Sequence, residues 1–187
     1  MTICVFGASS TTLDEKYISA VEALGEKLAE KGHSLMFGGG ANGLMGAAAR
    51  GFKAKNGKVI GVAPRFFDKE GILFQNCDEF VWPDSMRDRK KYMEDNSDAF
   101  IVAPGGIGTY EEFLEVLTLK QLARHAKPIA LFNVDGFFDK LVDLIKADTE
   151  NGFIREQTLS LFGVFSEIDA LTDYVENDVT DIEEIKF

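Results

Sequence analysis

The sequence predicts an α/β fold, with one parallel β-sheet between two layers of helices. Three observations carry that expectation. Apolar runs of about four or five residues alternate with longer stretches of helical period along nearly the whole chain, the pattern of repeated strand–helix units. Three of those runs end in polar loops holding glycine, at 7–12, 38–46 and 104–109. The chain has 187 residues, 45% of them hydrophobic, enough for one full core. The expectation is a single Rossmann-like, three-layer domain over 1–187, with no second domain, internal repeat or low-complexity segment.

Taken in order, residues 2–6 form the first strand. Their loop, 7–12, lies at the carboxyl end where open α/β sheets bind ligands. Ser9 there is either a pocket residue or part of a turn and helix cap. Tyr17, Ile18, Val21, Leu24 and Leu28 set a helix over 15–31, with Gly32 as its C′ residue. The second strand, 34–37, meets Gly38-Gly39-Gly40-Ala41-Asn42-Gly43-Leu44-Met45-Gly46, and a helix follows over 47–55. Glycine this dense means either that the backbone approaches a ligand or that a helix packs unusually close to the sheet. The third strand is 58–62. Residues 63–76 lack a period and carry Phe66, Phe67 and Phe74, so a lid or interface segment is expected. Residues 79–82 make a short strand stopped by Pro83, and Asp84 or Ser85 caps a helix rich in bases.

Residues 99–103 are the central strand. Pro104-Gly105-Gly106-Ile107-Gly108-Thr109-Tyr110-Glu111-Glu112 follows and opens a helix running from Thr109 to about residue 124. That helix is apolar around most of its circumference, which suits burial on two sides in a dimer. Then come a strand at 128–132, a loop at 133–136 and a helix at 137–146. After a short irregular piece at 153–161, a last strand spans 161–165 and Ser166 caps a helix over 167–174. From Glu176 the chain holds five acids and one lysine, and residues 176–187 are expected to fray as an acidic tail.

Thirty-one acids against twenty bases give a net charge of −11. That argues against a nucleic-acid partner, which calls for a basic face, though not against one small anion held by a local basic cluster. Cys4 and Cys77 show neither zinc spacing nor a disulfide framework. The N-terminus has no basic leader and the chain no long apolar run, so a cytoplasmic protein without a membrane partner is expected. No metal-ligand cluster and no cofactor are expected.

The loop 104–109 reads as strand, glycine turn, helix, and a phosphate suits the free N–H groups at such a helix start. A nucleotide phosphate seated there brings its sugar within a few ångströms of the first helical turns. Cleaving an N-glycosidic bond builds positive charge on that sugar. A fixed carboxylate can stabilise the charge or activate water, and an arginine can hold the carboxylate or the substrate by forked hydrogen bonds. Glu112 has a second reading: Thr109 and Glu112 are spaced as a capping box. Glu111 and Glu115 are expected to face solvent, as are Arg87 and Lys91.

The stretches FGGGANGLMG, SMRDRK, PGGIGTYEE and QLARHAKPIALFNVDGFFDKL together resemble the LONELY GUY (LOG) family of cytokinin-activating phosphoribohydrolases. Many bacterial members once carried a lysine decarboxylase label. The resemblance runs from Ile3 to about Phe165. It implies hydrolysis of purine nucleoside 5′-monophosphates, AMP or an N6-modified AMP, to free base and ribose 5-phosphate. It implies Arg89 and Glu112 as the catalytic pair, with the capping role of Glu112 able to coexist. It implies a phosphate loop at Gly105, Gly106, Gly108 and Thr109, with Ser9, Gly39, Gly40, Met86 and Lys90 also binding substrate. A homodimer with sites near the interface is implied as well. Arg87 replaces the histidine of the family's MHxRK motif, which bears on substrate choice more than on bond cleavage. The alternative is a carrier of the same superfamily that binds a nucleotide or molybdenum cofactor without turnover; the intact Arg89/Glu112 pair argues against it. A decarboxylase using pyridoxal would need a Schiff-base lysine, and nothing marks one.

Overall fold

The computed structural model describes residues 1–178. In chain order the elements are β1 (Thr2–Phe6), α1 (Glu15–Glu30), β2 (Ser34–Phe37), α2 (Gly43–Ala54), β3 (Lys58–Val62), β4 (Glu79–Val81), α3 (Met86–Asn96), β5 (Ala99–Val102), α4 (Ile107–Gln121), β6 (Ile129–Phe132), α5 (Asp139–Glu150), β7 (Gly163–Phe165) and α6 (Ile168–Asn177). The strands form one parallel sheet in the order β4-β3-β2-β1-β5-β6-β7. This is the α/β, Rossmann-like arrangement that strand–helix alternation predicts.

The central strands read as unbroken apolar runs because both faces of the sheet are covered. Their side chains alternate between two cores. Ile3, Val5, Leu35, Phe37 and Ile101 pack with α1, α2 and α6. Cys4, Phe6, Met36, Phe100 and Val102 pack with α3, α4 and α5. Each large apolar side chain so buried contributes about 2 kcal/mol. On the first face α1 and α2 touch backbone to backbone. A Cβ at Gly25 would stand 2.6 Å from the carbonyl oxygen of Ala48, and one at Gly51 would stand 2.1 Å from that of Glu22.

The chain winds outward from β1 to β4, then returns to the other side of β1 as β5. Strand order therefore reverses between β1 and β5, where a crevice opens at the carboxyl ends. The register pairs Phe6 with Val102, so the two following loops leave the sheet side by side. Ala8 stitches them: its N–H donates to the Pro104 carbonyl (3.0 Å) and its own carbonyl accepts from Leu44 N–H at the start of α2 (2.8 Å).

Four local expectations are corrected. Helix α2 starts at Gly43, not at residue 47, with Asn42 as N-cap residue. The glycines there serve close approach inside a helix: a Cβ at Gly46 would meet the Ala41 oxygen at 1.9 Å. Helix α4 starts at Ile107 with Gly106 as N-cap residue, so Thr109 lies within the helix and the Thr109/Glu112 capping box is not formed. Ser166 does not cap α6; its hydroxyl donates to the Asn133 carbonyl, 3.2 Å away, and Glu167 is the N-cap residue. Glu176, expected to fray, lies in α6 and pairs with Lys31 at 2.6 Å and His33 at 2.8 Å. Asn177 also belongs to α6 and Asp178 follows it as C-cap residue; residues 179–187 of the expected tail lie outside the described residues. Among the described residues no helix is long and apolar enough to cross a membrane.

Candidate active site

A cavity of about 570 Å³ occupies the crevice between β1 and β5. Its walls come from the loop after β1, the glycine loop after β2, the start of α4, the first turn of α3 and the segment after β3.

At one end lies the N-terminus of α4. Gly106 and Gly108 have open space where a Cβ would stand, so a ligand can reach the backbone amides. Those amides have no intrahelical acceptor. Gly105 has a different duty. A Cβ on it would fall 2.1 Å from Thr109 Oγ1, so its glycine lets Thr109 fold back over the turn. Thr109 itself lines the cavity.

Beside this end sit Arg89 and Glu112. Arg89 is buried. Its Nε donates to the Val62 carbonyl at 3.1 Å and Nη1 donates to Glu112 Oε1 at 2.9 Å. Nη2 lies against Gly38, where a Cβ would stand 2.2 Å away. Only glycine at position 38 leaves room for the guanidinium in this pose. Burial pushes the Glu112 carboxyl above the ordinary glutamate range, and the Arg89 charge opposes that shift without cancelling it. Behind the pair, Cys4 on β1 is wholly buried. Burial raises its thiol pKa well above normal, helped by the Glu112 charge and opposed by Arg89, so it is an inert thiol.

The remaining wall is apolar: Met45, Phe67, Ile72, Leu73 and Met86. Phe67, Ile72 and Leu73 belong to the aperiodic stretch after β3, which crosses the site as a strap. Leu73 forms an antiparallel bridge with Gly40. Ala41 N–H donates to the Ile72 carbonyl (2.9 Å) and Phe74 N–H to that of Gly39 (2.8 Å). The Arg65 guanidinium lies 4.9 Å from the ring of Trp82.

Of the residues singled out in the sequence, Ser9, Gly40, Met86, Arg89, Gly106, Gly108, Thr109 and Glu112 meet at this cavity. Gly39, Gly105 and Lys90 are not among its lining residues. Gly39 adopts φ +77° and turns toward Phe80, whose ring would lie 2.6 Å from a Cβ. Gly105 supports Thr109 as described. Lys90 points away, to Glu111 and to Glu115 at 2.6 Å. Glu111 is exposed, as expected, but paired. Arg87 is exposed and does not line the cavity. The resemblance sets the Gly38–Gly40 run in the pocket, and Gly38 and Gly40 do line it; sequence reasoning named neither Asn42 and Met45 nor the strap side chains as site residues. The aromatic, aperiodic composition of 63–76 was the one signal for the strap.

Comparison with known proteins places this geometry among relatives. A family model described as "Possible lysine decarboxylase" matches residues 45–175. A probable cytokinin riboside 5′-monophosphate phosphoribohydrolase of Oryza sativa subsp. japonica is 41% identical over 152 residues, which is 81% of this chain and 62% of that protein. A cytokinin riboside 5′-monophosphate phosphoribohydrolase of Arabidopsis thaliana is 39% identical over 152 residues, 81% of this chain and 71% of that one. The chain thus spans roughly two thirds of the length of these relatives. Among solved structures, the molybdenum cofactor carrier protein of Chlamydomonas reinhardtii superposes with a TM-score of 0.71 at 22% identity, covering 94% of this chain and 95% of that one. The molybdenum cofactor binding protein of Rippkaea orientalis gives 0.71 at 20% identity, covering 94% of each. At such identities the likeness is one of fold alone. No lysine is among the residues lining the cavity.

Proposed function

The chain belongs to the LONELY GUY (LOG) family, and from that premise we propose that it hydrolyses the N-glycosidic bond of a purine nucleoside 5′-monophosphate to free base and ribose 5-phosphate. The observation that carries this reading is the Arg89–Glu112 pair, 2.9 Å apart and largely shielded from solvent, in the same cavity as the open N-terminus of α4. The phosphate sits on the α4 amides and Thr109, where the helix dipole favours an anion. Glu112, one turn further along, then faces the sugar. As the bond from C1′ to the base nitrogen breaks, positive charge grows on C1′ and the ring oxygen. The Glu112 carboxylate stabilises that charge and orients water. A bond from the water oxygen to C1′ forms, the electron pair of the broken bond leaves with the base, and the base takes up the proton. Arg89 holds the carboxylate in place. The step draws on no cofactor.

The apolar wall formed by Met45, Phe67, Ile72, Leu73 and Met86 fits a base bearing an alkyl group on N6 as readily as adenine, so AMP and N6-modified AMP are the substrates of this reading. The enzyme is a homodimer built on α4. Ile107 and Leu114 stand exposed on that helix and Leu122 just past its end, and Ile107 adjoins the cavity residues Gly106 and Gly108. On this reading each site lies near the interface. Two free thiols fit a reducing cytoplasm.

Purified protein incubated with AMP and with N6-isopentenyl-AMP should release free base. Glu112→Gln should cut kcat on the order of 10²–10⁴-fold. No base from any purine monophosphate, or a variant as active as wild type, defeats the reading. Tight nucleotide binding without product would favour a carrier instead.

A further inference from the structure

The family motif sets Lys90 beside Arg89 as a second substrate contact, but the two residues face different ways. Neighbours on a helix point about 100° apart. Arg89 turns inward to Glu112 at 2.9 Å. Lys90 turns outward to Glu111 and to Glu115, 2.6 Å from Glu115 Oε2. Glu111 and Glu115 are four residues apart, so they stand one above the other on α4, and one ammonium bridges both. Consecutive residues of α3 therefore grip consecutive residues of α4, one pair inside the cavity and one outside it. The Lys90 side chain is 19% exposed. Its neighbour Lys91 is 71% exposed and pairs with Asp95 on its own helix, an ordinary surface pair of little energetic weight.

What makes the outer grip matter is the poverty of α3. Met93 is the one fully buried apolar side chain of that helix, with Tyr92 partly buried beside it in the core shared with α4. Polar contacts therefore share in setting its position, and Lys90 makes two of them.

We propose that Lys90 is a positioning residue for the hydrolysis: by bridging Glu111 and Glu115 it fixes α3 against α4 and so holds the Arg89 guanidinium on Glu112. The proposal rests on the catalytic reading of Arg89 and Glu112 given above. The charges felt at Glu112 are those of Arg89, which touches it, and of Lys90 and Glu111, which stand farther off; Cys4 from β1 lies behind. Of these, Arg89 and Lys90 favour its ionised form and Glu111 opposes it.

The test compares Lys90→Met, Lys90→Arg, the double variant Glu111→Gln/Glu115→Gln, and the triple variant joining Lys90→Met to the double. Lys90→Met should lower kcat roughly tenfold with KM for the nucleotide nearly unchanged, and Lys90→Arg should recover most of that loss. The double variant should reproduce the Lys90→Met effect, and the triple should cost no more than either. A raised KM with kcat retained means that Lys90 touches the phosphate and overturns the proposal, as does a Lys90→Met enzyme identical to wild type. A second arm needs no substrate. The Glu112 carboxyl, titrated by 13C NMR, should move to higher pH in Lys90→Met and stay near wild type in Lys90→Arg; an unmoved titration in Lys90→Met overturns the proposal. If wild type releases no base from any purine nucleotide, the hydrolase reading falls, and the titration still decides whether Lys90 governs Glu112.

Discussion

Glu112 is costly to keep charged where it stands. Its carboxyl is buried, and one hydrogen bond from Arg89 does not offset the lost hydration. The folded state therefore binds the Glu112 proton more tightly than the unfolded chain does. Stability falls as pH rises from the ordinary glutamate range through the raised folded value, because over that window the native state holds more protons. Glu112→Gln removes this titration. The melting temperature of wild type relative to the variant should accordingly decline with rising pH across that window and level off above it. Scans of both proteins from pH 4 to 8 check this, and a flat difference would refute it. Such a group was only half legible in the sequence. The spacing of Thr109 and Glu112 fitted a helix cap as well as catalysis, and nothing local said that α4 would begin two residues before Thr109. The fold excludes the cap, since α4 starts at Ile107, and sets Glu112 beside Arg89, a placement that spacing alone does not give.

At the scale of elements, the strands were easy to find and the helix starts were not. Runs such as Ile3–Phe6 announce themselves because both faces of the sheet are covered. The starts of α2 and α4 are built from glycine, which local propensity assigns to loops. Here glycine is required because backbone or side chain passes within a methyl's width, information that resides in the neighbouring element. Gly38 is the sharpest case. A Cβ there would collide with Arg89 Nη2, the far end of a long side chain that can swing aside. Gly38→Ala should thus fold, with a stability change within about 1–2 kcal/mol. It should lose activity by tenfold or more, because the guanidinium leaves Glu112. A Gly38→Ala enzyme as active as wild type would show that this pose of Arg89 is dispensable.

For the whole molecule, the layers follow from alternation, while the strand order does not. Periodicity cannot say that β5 returns to the far side of β1, and it is this reversal that puts the loops after Phe6 and Val102 together. Assembly poses a parallel problem. A subunit carrying a net charge of −11 repels its copies, so a dimer needs an apolar patch to overcome that. The exposed Ile107 and Leu114 of α4, with Leu122 just past its end, are the candidates. Leu114→Glu/Leu122→Glu should sediment as a monomer at concentrations where wild type is dimeric. Its activity should drop with it, since Ile107 adjoins the phosphate end of the cavity. A wild-type monomer, or a variant that remains dimeric, would reject α4 as the interface.

The buried thiol of Cys4 has a use unrelated to chemistry in the pocket. It sits on the innermost strand, 0% exposed, sealed by helices on one side of the sheet and by neighbouring strands on either flank. With Cys77 replaced by serine, a thiol reagent can reach it only when the sheet itself comes apart. Its labelling rate then acts as a molecular clock that ticks once per opening, slower than for a free thiol by the equilibrium constant for that opening. For an ordinary stability of about 5–15 kcal/mol this is a retardation of several orders of magnitude. A nucleotide that binds the native state should slow the clock further by a factor of one plus the ratio of its free concentration to its Kd, giving an affinity without any turnover being observed.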